Sequence, residues 1–278
     1  MDGKTESIRS LTQSVERALS ILTCFSDAQP RLRVADLVEQ LGLSQSTVSR
    51  LLKTMESLGF VERDPQTGLY QLGLEMVTLA GVALNQVDLR GEAMGELSAV
   101  AAELGLAANL AILRRDGLFY IASVEGPMAP KRHTMIGKRG PLHSTGMGKV
   151  LLAHLPATER EPMLRRLPYP QFTPHTAGDA DDLRPMLESV LSRGYATERE
   201  ELAFGRACVA APIRDATGAV VAATSISGPL RVLDLDRREA ELAGRVVEMA
   251  DRISQRLGYV GVSVSVLPKI RLQPVGGQ

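Results

Sequence analysis

Cysteine is scarce in this chain: Cys24 and Cys208 are the only two in 278 residues. Cys24 lies in a helical apolar pattern and Cys208 in a strand-like run, so the sequence has neither a disulfide framework nor metal-ligand spacing. The four histidines have no i, i+4 pairing and no cysteine neighbours, which argues against a zinc site. We therefore expect both cysteines to be packing residues, and we predict no metal and no cofactor.

The chain also lacks an excess of either charge and any long hydrophobic run. Its 32 Lys and Arg residues balance 32 Asp and Glu residues, so any attraction for nucleic acid must come from a local basic patch. No apolar stretch is long enough for a membrane span, and the N-terminus has no apolar core beside a basic start. We expect no contact with a membrane, no secretory signal and a cytoplasmic location.

The most informative stretch is 43–60, LSQSTVSRLLKTMESLGF. Ser44 predicts a helix N-cap and Gly59 a helix end. Apolar residues recur at three- and four-residue spacing on one face: Val48, Leu51, Leu52, Met55 and Leu58. The other positions are polar or basic: Gln45, Ser46, Thr47, Ser49, Arg50 and Lys53. This pattern favours a DNA recognition helix, and the alternative is an amphipathic core helix with a solvated face.

Flanking segments support the recognition helix. Helices are predicted at 12–25 and 34–41, and the second ends at Gly42, although Arg33 is a poor cap. A tight turn then leads into 44–58, which is the helix-turn-helix arrangement. Two short extended runs in 60–72 surround Asp64-Pro65-Gln66-Thr67-Gly68 and predict a β-hairpin that serves as a wing. Arg31 and Arg63 join the helix cations as candidate phosphate contacts, with a solvated side chain as the alternative for Arg63.

The helix predicted at 73–87 is rich in Leu, Met, Val and Ala and is too apolar for a free linker. It must bury its face either against a second subunit or against the second domain of its own chain. Downstream, helices are predicted at 89–104, 146–155, 158–167, 179–192 and 235–257. Strands are predicted at 107–114, 118–124, 131–136, 195–198, 207–214 and 220–227. This order predicts an α+β domain with a mainly antiparallel sheet.

The motifs of the N-terminal part resemble a known family. SVERALSIL, VADLVEQLGLSQSTVSRLLKTMESLGFVER and GLYQLGLEMVTLAG are similar to the winged helix-turn-helix of the IclR family of bacterial transcriptional regulators. GKRGPLHSTGMGKVLLAHLP, RGYATEREELAFGRACVAAPI and SISGP resemble its effector-binding domain. The resemblance covers residues 10–258. It implies a winged helix-turn-helix at 10–72, a connecting helix at 73–88 that helps to join subunits, a GAF-like effector-binding domain at 89–258 and an extension at 259–278.

The resemblance also implies an effector site formed by Gly146, Met147, Cys208, Ser225 and Ser227, with Glu198 as a weaker candidate. The residues themselves are compatible with this site. The loop before Gly146 opens a helix whose backbone N–H groups can hold a carboxylate, whereas the spacing of a nucleotide-binding loop is not met. Ser225 and Ser227 share one strand face, which either lines a pocket or is a plain polar surface.

Arg206 departs from the apolar residue that the family often has at this position, and it lies on the same strand face as Cys208. If Arg206 points inward it selects for acids, because its planar guanidinium binds a carboxylate through two hydrogen bonds; the alternative is a solvent-facing side chain. Leu142 and Met147 are the predicted apolar lining.

We interpret the chain as a ligand-responsive transcription factor that binds operator DNA as a homodimer or homotetramer. We expect it to control a catabolic operon and to sense a small organic carboxylate. One alternative is a structural nucleoid protein. The other is an enzyme with an appended DNA-binding domain that uses His143, Ser144 and Cys208. Against it, the sequence has no G-x-S-x-G elbow and no acid pair placed for acid–base chemistry.

Overall fold

The structure is a computed structural model that describes residues 12–115, 117–128 and 136–261. The chain forms two compact units, Met1–Gln86 and Val87–Gln278, which are described separately. The predicted strand at 131–136, except for its last residue, and most of the predicted extension at 259–278 lie outside the described residues. The domain boundaries given above remain predictions.

The first unit is a winged helix-turn-helix, as predicted. Its elements are α1 (Gln13–Cys24), α2 (Val34–Leu41), α3 (Gln45–Ser57), β1 (Val61–Arg63), β2 (Tyr70–Leu72) and α4 (Glu75–Asn85). Gly42 adopts a left-handed conformation that ends α2, and the Ser44 hydroxyl accepts the N–H of Thr47 at 3.3 Å to begin α3. Antiparallel pairing of β1 with β2 forms the wing.

A small apolar core holds this unit together. Ile21, Leu37, Val48, Leu52 and Val61 are fully buried and join all three helices to the wing. The prediction was wrong for Leu58, which is 60% exposed. Because α3 ends at Ser57, Leu58 leaves the helical repeat and its side chain does not follow the apolar stripe.

The N-terminus of α2 also differs from expectation. Arg33 does not cap the helix through its side chain, but its backbone N–H donates to Oδ2 of Asp36 at 2.7 Å. Asp36 therefore supplies one arm of a capping box and compensates for the poor cap residue.

The second unit is an α+β domain built on one six-stranded antiparallel sheet. Its helices are α5 (Asp88–Leu104), α6 (Gly146–Ala153), α7 (Ala157–Arg166), α8 (Ala180–Arg193), α9 (Leu230–Leu233) and α10 (Leu235–Arg256). Its strands are β3 (Ala107–Arg114), β4 (Gly117–Val124), β5 (Arg139–Gly140), β6 (Ala196–Arg199), β7 (Arg206–Arg214) and β8 (Val220–Pro229). The strand order is β5-β4-β3-β8-β7-β6. The α+β class is confirmed, while β5 and α9 were not predicted.

Helices cover both faces of this sheet. On one face Leu110, Val209 and Ile226 pack in a core with α5 and α10. On the other, Tyr120, Ala210 and Ala223 pack in a second core with α6 and α8. We call this second side the α6 face. Across the described ranges, the structure has no helix of the length and apolarity that a membrane span needs.

Candidate DNA-binding surface and effector site

The outward side of α3 carries the predicted recognition residues. Gln45, Ser46, Ser49, Arg50 and Lys53 are exposed, and Thr47 is half-buried. The Ser44 hydroxyl lies 2.8 Å from Thr47 Oγ1 and also caps the helix, so both hydroxyls already have a local partner. The Ser46 hydroxyl also lies 3.1 Å from Ser44 Oγ, but Gln45 and Ser46 are both exposed at the first turn of α3.

Basic side chains extend this surface to the wing. Leu32 pairs with Tyr70 through two backbone hydrogen bonds of 2.8 and 2.9 Å, which places the exposed Arg31 beside the hairpin. The Arg63 guanidinium lies 5.9 Å from the Tyr70 ring centre. Within the described residues, none of Arg31, Arg50, Lys53 and Arg63 forms a direct ion pair with a carboxylate, and Arg31 interacts with Asp64 at longer range. These side chains can therefore contact phosphate.

The wing turn is held by Asp64. Its carboxylate accepts the backbone N–H groups of Gln66 and Thr67 at 2.8 and 3.0 Å. The bonds from Thr67 and Gln66 lower the pKa of Asp64 below its ordinary value. The carboxylate is therefore ionised at neutral pH and serves the hairpin turn.

Predicted effector residues meet on the α6 face of the second unit. Strand register places Glu198 opposite Cys208 and Cys208 opposite Ser227, which forms one row across β6, β7 and β8. The next row contains Ala210 opposite Ser225. The predicted separation of Ser225 and Ser227 from Ile226 is confirmed, because Ile226 packs on the opposite side of the sheet.

The N-terminus of α6 packs directly on this row. A Cβ atom at Gly146 would lie 2.7 Å from Cys208 Sγ, so the close approach requires glycine. The Gly146 N–H lies close enough to the Cys208 sulfur to affect its pKa, and the Gly148 N–H donates to Thr145 Oγ1 at 3.1 Å. The Gly146 and Met147 amides are the remaining N–H groups of this first turn. Leu142 and Met147, the predicted apolar lining, are both buried in the core on this side of the sheet.

Cys208 itself is a thiol rather than a thiolate. Burial raises its pKa to about 12, and the nearby Glu198 carboxyl acts in the same direction. A protonated, buried thiol is a weak nucleophile. Its position against Gly146 is consistent with the packing role predicted for it.

Arg206 points toward the α6 face rather than away from the domain. Its Nε lies 4.0 Å from Glu198 Oε2, and its charge interacts with the Tyr120 hydroxyl and the Cys208 thiol. Burial alone would lower the pKa of Arg206, but Cys208, Tyr120 and Glu198 outweigh it and the pKa is raised. The side chain is 32% exposed, and its buried Nε has no hydrogen-bond partner among the described residues.

Glu198 is the acidic group nearest to Arg206. Its Oε1 accepts the backbone N–H groups of Glu201 and Leu202 at 2.8 and 3.3 Å. Burial raises the pKa of Glu198, while Arg206 and these two donors oppose the shift. Oε1 thus holds the loop after β6 through two hydrogen bonds, whereas Oε2 faces Arg206 beyond hydrogen-bonding distance.

Sequence reasoning missed three residues of this site: Asn109, Tyr120 and Ser144. Asn109 lies opposite Ser225 and is 3% exposed; Tyr120 is 2% exposed. Ser144 precedes α6, is fully buried, and its Oγ has no hydrogen-bond partner among the described residues. Strand alternation in 107–114 would have placed Asn109 on one face, but the face itself depends on pairing with a strand over a hundred residues away.

The residues of the enzyme alternative do not form a catalytic arrangement. His143 Nε2 lies 3.1 Å from the carbonyl oxygen of Pro170, and its ring stacks on Phe172 with centres 6.0 Å apart. Burial lowers the pKa of His143. The imidazole is thereby tied to the loop after α7 instead of acting as a base toward Ser144.

A winged helix-turn-helix followed by an α+β unit with a polar sheet face defines a class of protein, the DNA-binding transcriptional regulators. The model of the IclR helix-turn-helix domain matches residues 14–65, and that of the bacterial transcriptional regulator IclR C-terminal domain matches 81–255. The chain belongs to the IclR family of bacterial transcriptional regulators.

Relatives agree along almost the whole length. The HTH-type transcriptional regulator XynR of Escherichia coli K12 is 35% identical over 250 residues, which cover 90% of this chain and 98% of that protein. A transcriptional regulator from Rhodococcus sp. RHA1 superposes with a TM-score of 0.80 at 29% identity, over 88% of this chain and 98% of that one. An IclR homologue from Microbacterium hydrocarbonoxydans, complexed with 4-hydroxybenzoate, has a TM-score of 0.76 at 25% identity, over the same shares. The relatives are named as transcriptional regulators, which is a non-enzymatic role.

Proposed function

We propose that this regulator binds operator DNA as a homo-oligomer in the cytoplasm and changes its operator affinity when a small organic carboxylate enters the α6 face. The observation that carries the proposal is the orientation of Arg206. Its guanidinium points into the α6 face near Glu198 and Cys208, and strand pairing places Ser227 in the same row as these two residues. A buried anion needs several such donors.

The donor set favours an acid over a base. Arg206 can offer its unpartnered Nε, and Ser144 and Met147 add a hydroxyl and an amide from the N-terminus of α6. Glu198 has one oxygen already engaged by two backbone N–H groups. A ligand carboxylate can bind Arg206 because the ion pair with Glu198 is too long to be a hydrogen bond.

Apolar lining suggests the rest of the ligand. Leu142 and Met147 are buried beside the donors and suit an aromatic ring or a short aliphatic chain. The Microbacterium homologue complexed with 4-hydroxybenzoate supports an aromatic acid as one candidate. Small acids of this kind are common growth substrates, so we propose that the regulated operon is catabolic.

Operator recognition is assigned to α3 and the wing. Gln45 and Ser46 lie at the first turn of α3, where a recognition helix contacts base edges, and Arg50 and Lys53 lie further along its exposed side. Arg31 and Arg63 at the wing complete a set of phosphate contacts. We keep Ser44, Thr47 and Ser49 as secondary candidates, since the first two hydroxyls take part in the helix cap.

Assembly is assigned to α4. Four large apolar side chains of α4 and the residue before it are strongly exposed: Leu74, Val77, Leu79 and Val82. In the part of the chain that the structure describes, no residue of α4 is buried. A helix with this surface is stabilised by covering it, and a palindromic operator requires two copies of α3. A homodimer or homotetramer satisfies both.

The proposal is tested by operator binding with added acids. Fluorescence anisotropy on DNA from the chain's own upstream region would be measured with 4-hydroxybenzoate, benzoate and the uncharged 4-hydroxybenzamide. We expect at least one carboxylate to shift the operator affinity and the amide to have a smaller effect. A response to neutral compounds alone would contradict the carboxylate assignment.

A further inference from the structure

Asn109 lies at the centre of the α6 face and bonds to three hydroxyls. Its Nδ2 donates to Ser227 Oγ at 3.0 Å and to Ser225 Oγ at 3.4 Å. Its Oδ1 accepts the hydroxyl of Ser123 at 2.8 Å. Asn109, Ser225 and Ser227 are all at least nine-tenths buried. One amide therefore links β4, β3 and β8 through side chains alone.

The direction of these bonds determines what the serines can offer. An amide NH2 has two protons, and both are used on serine oxygens. Each serine hydroxyl has one proton of its own. This proton cannot point toward Asn109 Nδ2, because that group already donates to the serine oxygen. Among the described residues, neither Ser225 nor Ser227 donates its proton to an acceptor. Both serines are thus held as hydrogen-bond donors toward the α6 face.

We propose that Asn109 is a specificity-determining positioning residue, because it fixes Ser225 and Ser227 as a pair of hydrogen-bond donors. This pair selects ligands that present an acceptor, so a carboxylate binds more tightly than the corresponding amide. This inference rests on the proposed effector site. A carboxylate accepts hydrogen bonds through both of its oxygens. An amide ligand has a single acceptor oxygen, and in one of its two orientations in the site its NH2 group faces the serine protons instead. Bonds to the charged acceptor are also the stronger ones.

A purely structural role for Asn109 makes a different prediction. Its backbone carbonyl already accepts the Thr224 hydroxyl at 2.9 Å, and its strand is paired on both sides. If the side chain served the sheet alone, its loss would lower stability and weaken all ligands to a similar degree. A change in the preference between an acid and its amide is expected only if Asn109 orients the hydroxyls of Ser225 and Ser227.

The test compares ligand preference in two backgrounds of the full chain, one that keeps Ser225 and Ser227 and one in which both are replaced by alanine. Binding of 4-hydroxybenzoate, benzoate and their amides would be measured by calorimetry for wild type, Asn109→Leu, Ser225→Ala/Ser227→Ala and the triple variant. We expect wild type to prefer the acids, and Asn109→Leu to reduce that preference by about tenfold, the loss of roughly one charge-assisted bond. In the alanine background, Asn109→Leu should leave the preference unchanged.

A second substitution covers the case in which Asn109→Leu does not fold. Asn109→Asp keeps the shape but can only accept, so both serine protons turn toward it and the preference should move to the amide. Its negative charge also repels acids, and the same substitution in the alanine background measures that repulsion alone. The change in preference between acid and amide that Asn109→Asp causes must be larger with Ser225 and Ser227 present than in the alanine background.

The outcomes separate the inference from the proposed function. Equal changes in both backgrounds, or an unchanged preference in Asn109→Leu, would overturn the role of Asn109 while leaving a carboxylate sensor in place. Wild type that binds the amides as tightly as the acids would overturn both. A preference that depends on Asn109 only when the serines are present supports the inference.

Discussion

Lys149 Nζ lies 2.5 Å from Glu201 Oε1, with 4% and 10% of the two side chains exposed. This buried ion pair joins α6 to the loop after β6. The same loop is held from the other side, because the Thr176 hydroxyl donates to the backbone carbonyl of Glu201 at 2.6 Å. The N-terminus of α6 and the Glu198–Arg206 region are therefore fixed relative to each other by a charge pair that water does not screen.

Removing one member of this pair should be costly. Lys149→Met leaves a buried carboxylate without its cation, and we expect a loss of about 3–5 kcal/mol in the free energy of unfolding. Lys149→Met/Glu201→Leu should recover most of it, because no charge is left buried. Urea unfolding followed by circular dichroism measures both. Arg184→Ala, which breaks the more exposed pair with Glu161, is the control and should cost no more than about 1 kcal/mol.

Lys149 and Glu201 show what the sequence could not predict. Their contact spans 52 positions and leaves no local pattern. By contrast, the start of α3 followed from the cap at Ser44, and the separation of Ser225 from Ile226 followed from strand alternation, which are short-range effects. Periodicity assigns a residue to a face, but it does not identify which distant strand supplies the partner.

The same limit applies within the candidate site. That Arg206 and Cys208 share a strand face was predictable, whereas the inward direction of Arg206 shows in its approach to Glu198 on a neighbouring strand. Asn109 was missed because its role appears only when β3 pairs with β8. The error at Leu58 is of another kind, since a helical repeat was extended past the residue where the helix ends.

DNA binding should depend on the cations of α3. Arg50→Ala/Lys53→Ala removes two proposed phosphate contacts, so the slope of log affinity against log salt should fall by about 2. Operator affinity should drop at low salt and also on unrelated DNA. Anisotropy titrations between low and moderate salt measure the slope. Arg165→Ala/Arg237→Ala changes two exposed cations of the second unit and is the charge-matched control; equal slopes in the two double variants would contradict the assignment of α3.

Self-association should depend on α4. Val77→Ser/Val82→Ser replaces two of its exposed apolar side chains, which are 66% and 54% exposed, and should weaken association at least about tenfold. Light scattering at micromolar concentration gives the mass. Leu191→Ser alters an exposed leucine of α8 and should leave the mass unchanged. A wild-type monomer, or a double variant that associates as wild type does, would contradict the role of α4.

Stability should decrease on acidification because of His154. Burial lowers its pKa below the ordinary 6.5, and its Nδ1 lies 2.9 Å from the Val150 carbonyl oxygen. The unfolded chain therefore binds the proton first as the pH falls, so stability is complete above the unfolded pKa and is lost as the pH falls through it. His154→Asn should flatten the pH dependence between about 7 and 5. A slope identical to that of wild type in thermal or urea unfolding would contradict this.

Recognition of acids should depend on Arg206. We expect Arg206→Met to weaken carboxylates by roughly tenfold to a hundredfold, the loss of one or two charge-assisted hydrogen bonds, and to change binding of uncharged analogues little. Thermal shift and calorimetry on the full chain measure both sets. Arg214→Met, on the same strand but bonded to the Gly218 carbonyl, is the matched control.

Loss of Arg206 also leaves Glu198 without its cation, and a buried carboxylate repels acids by itself. Arg206→Met/Glu198→Gln separates the two effects, because it removes both charges and keeps the size of both side chains. If Arg206 binds the ligand directly, acids stay weak in the double variant. If it only neutralises Glu198, acid binding returns to the wild-type level, and the proposed contact between Arg206 and the effector is wrong.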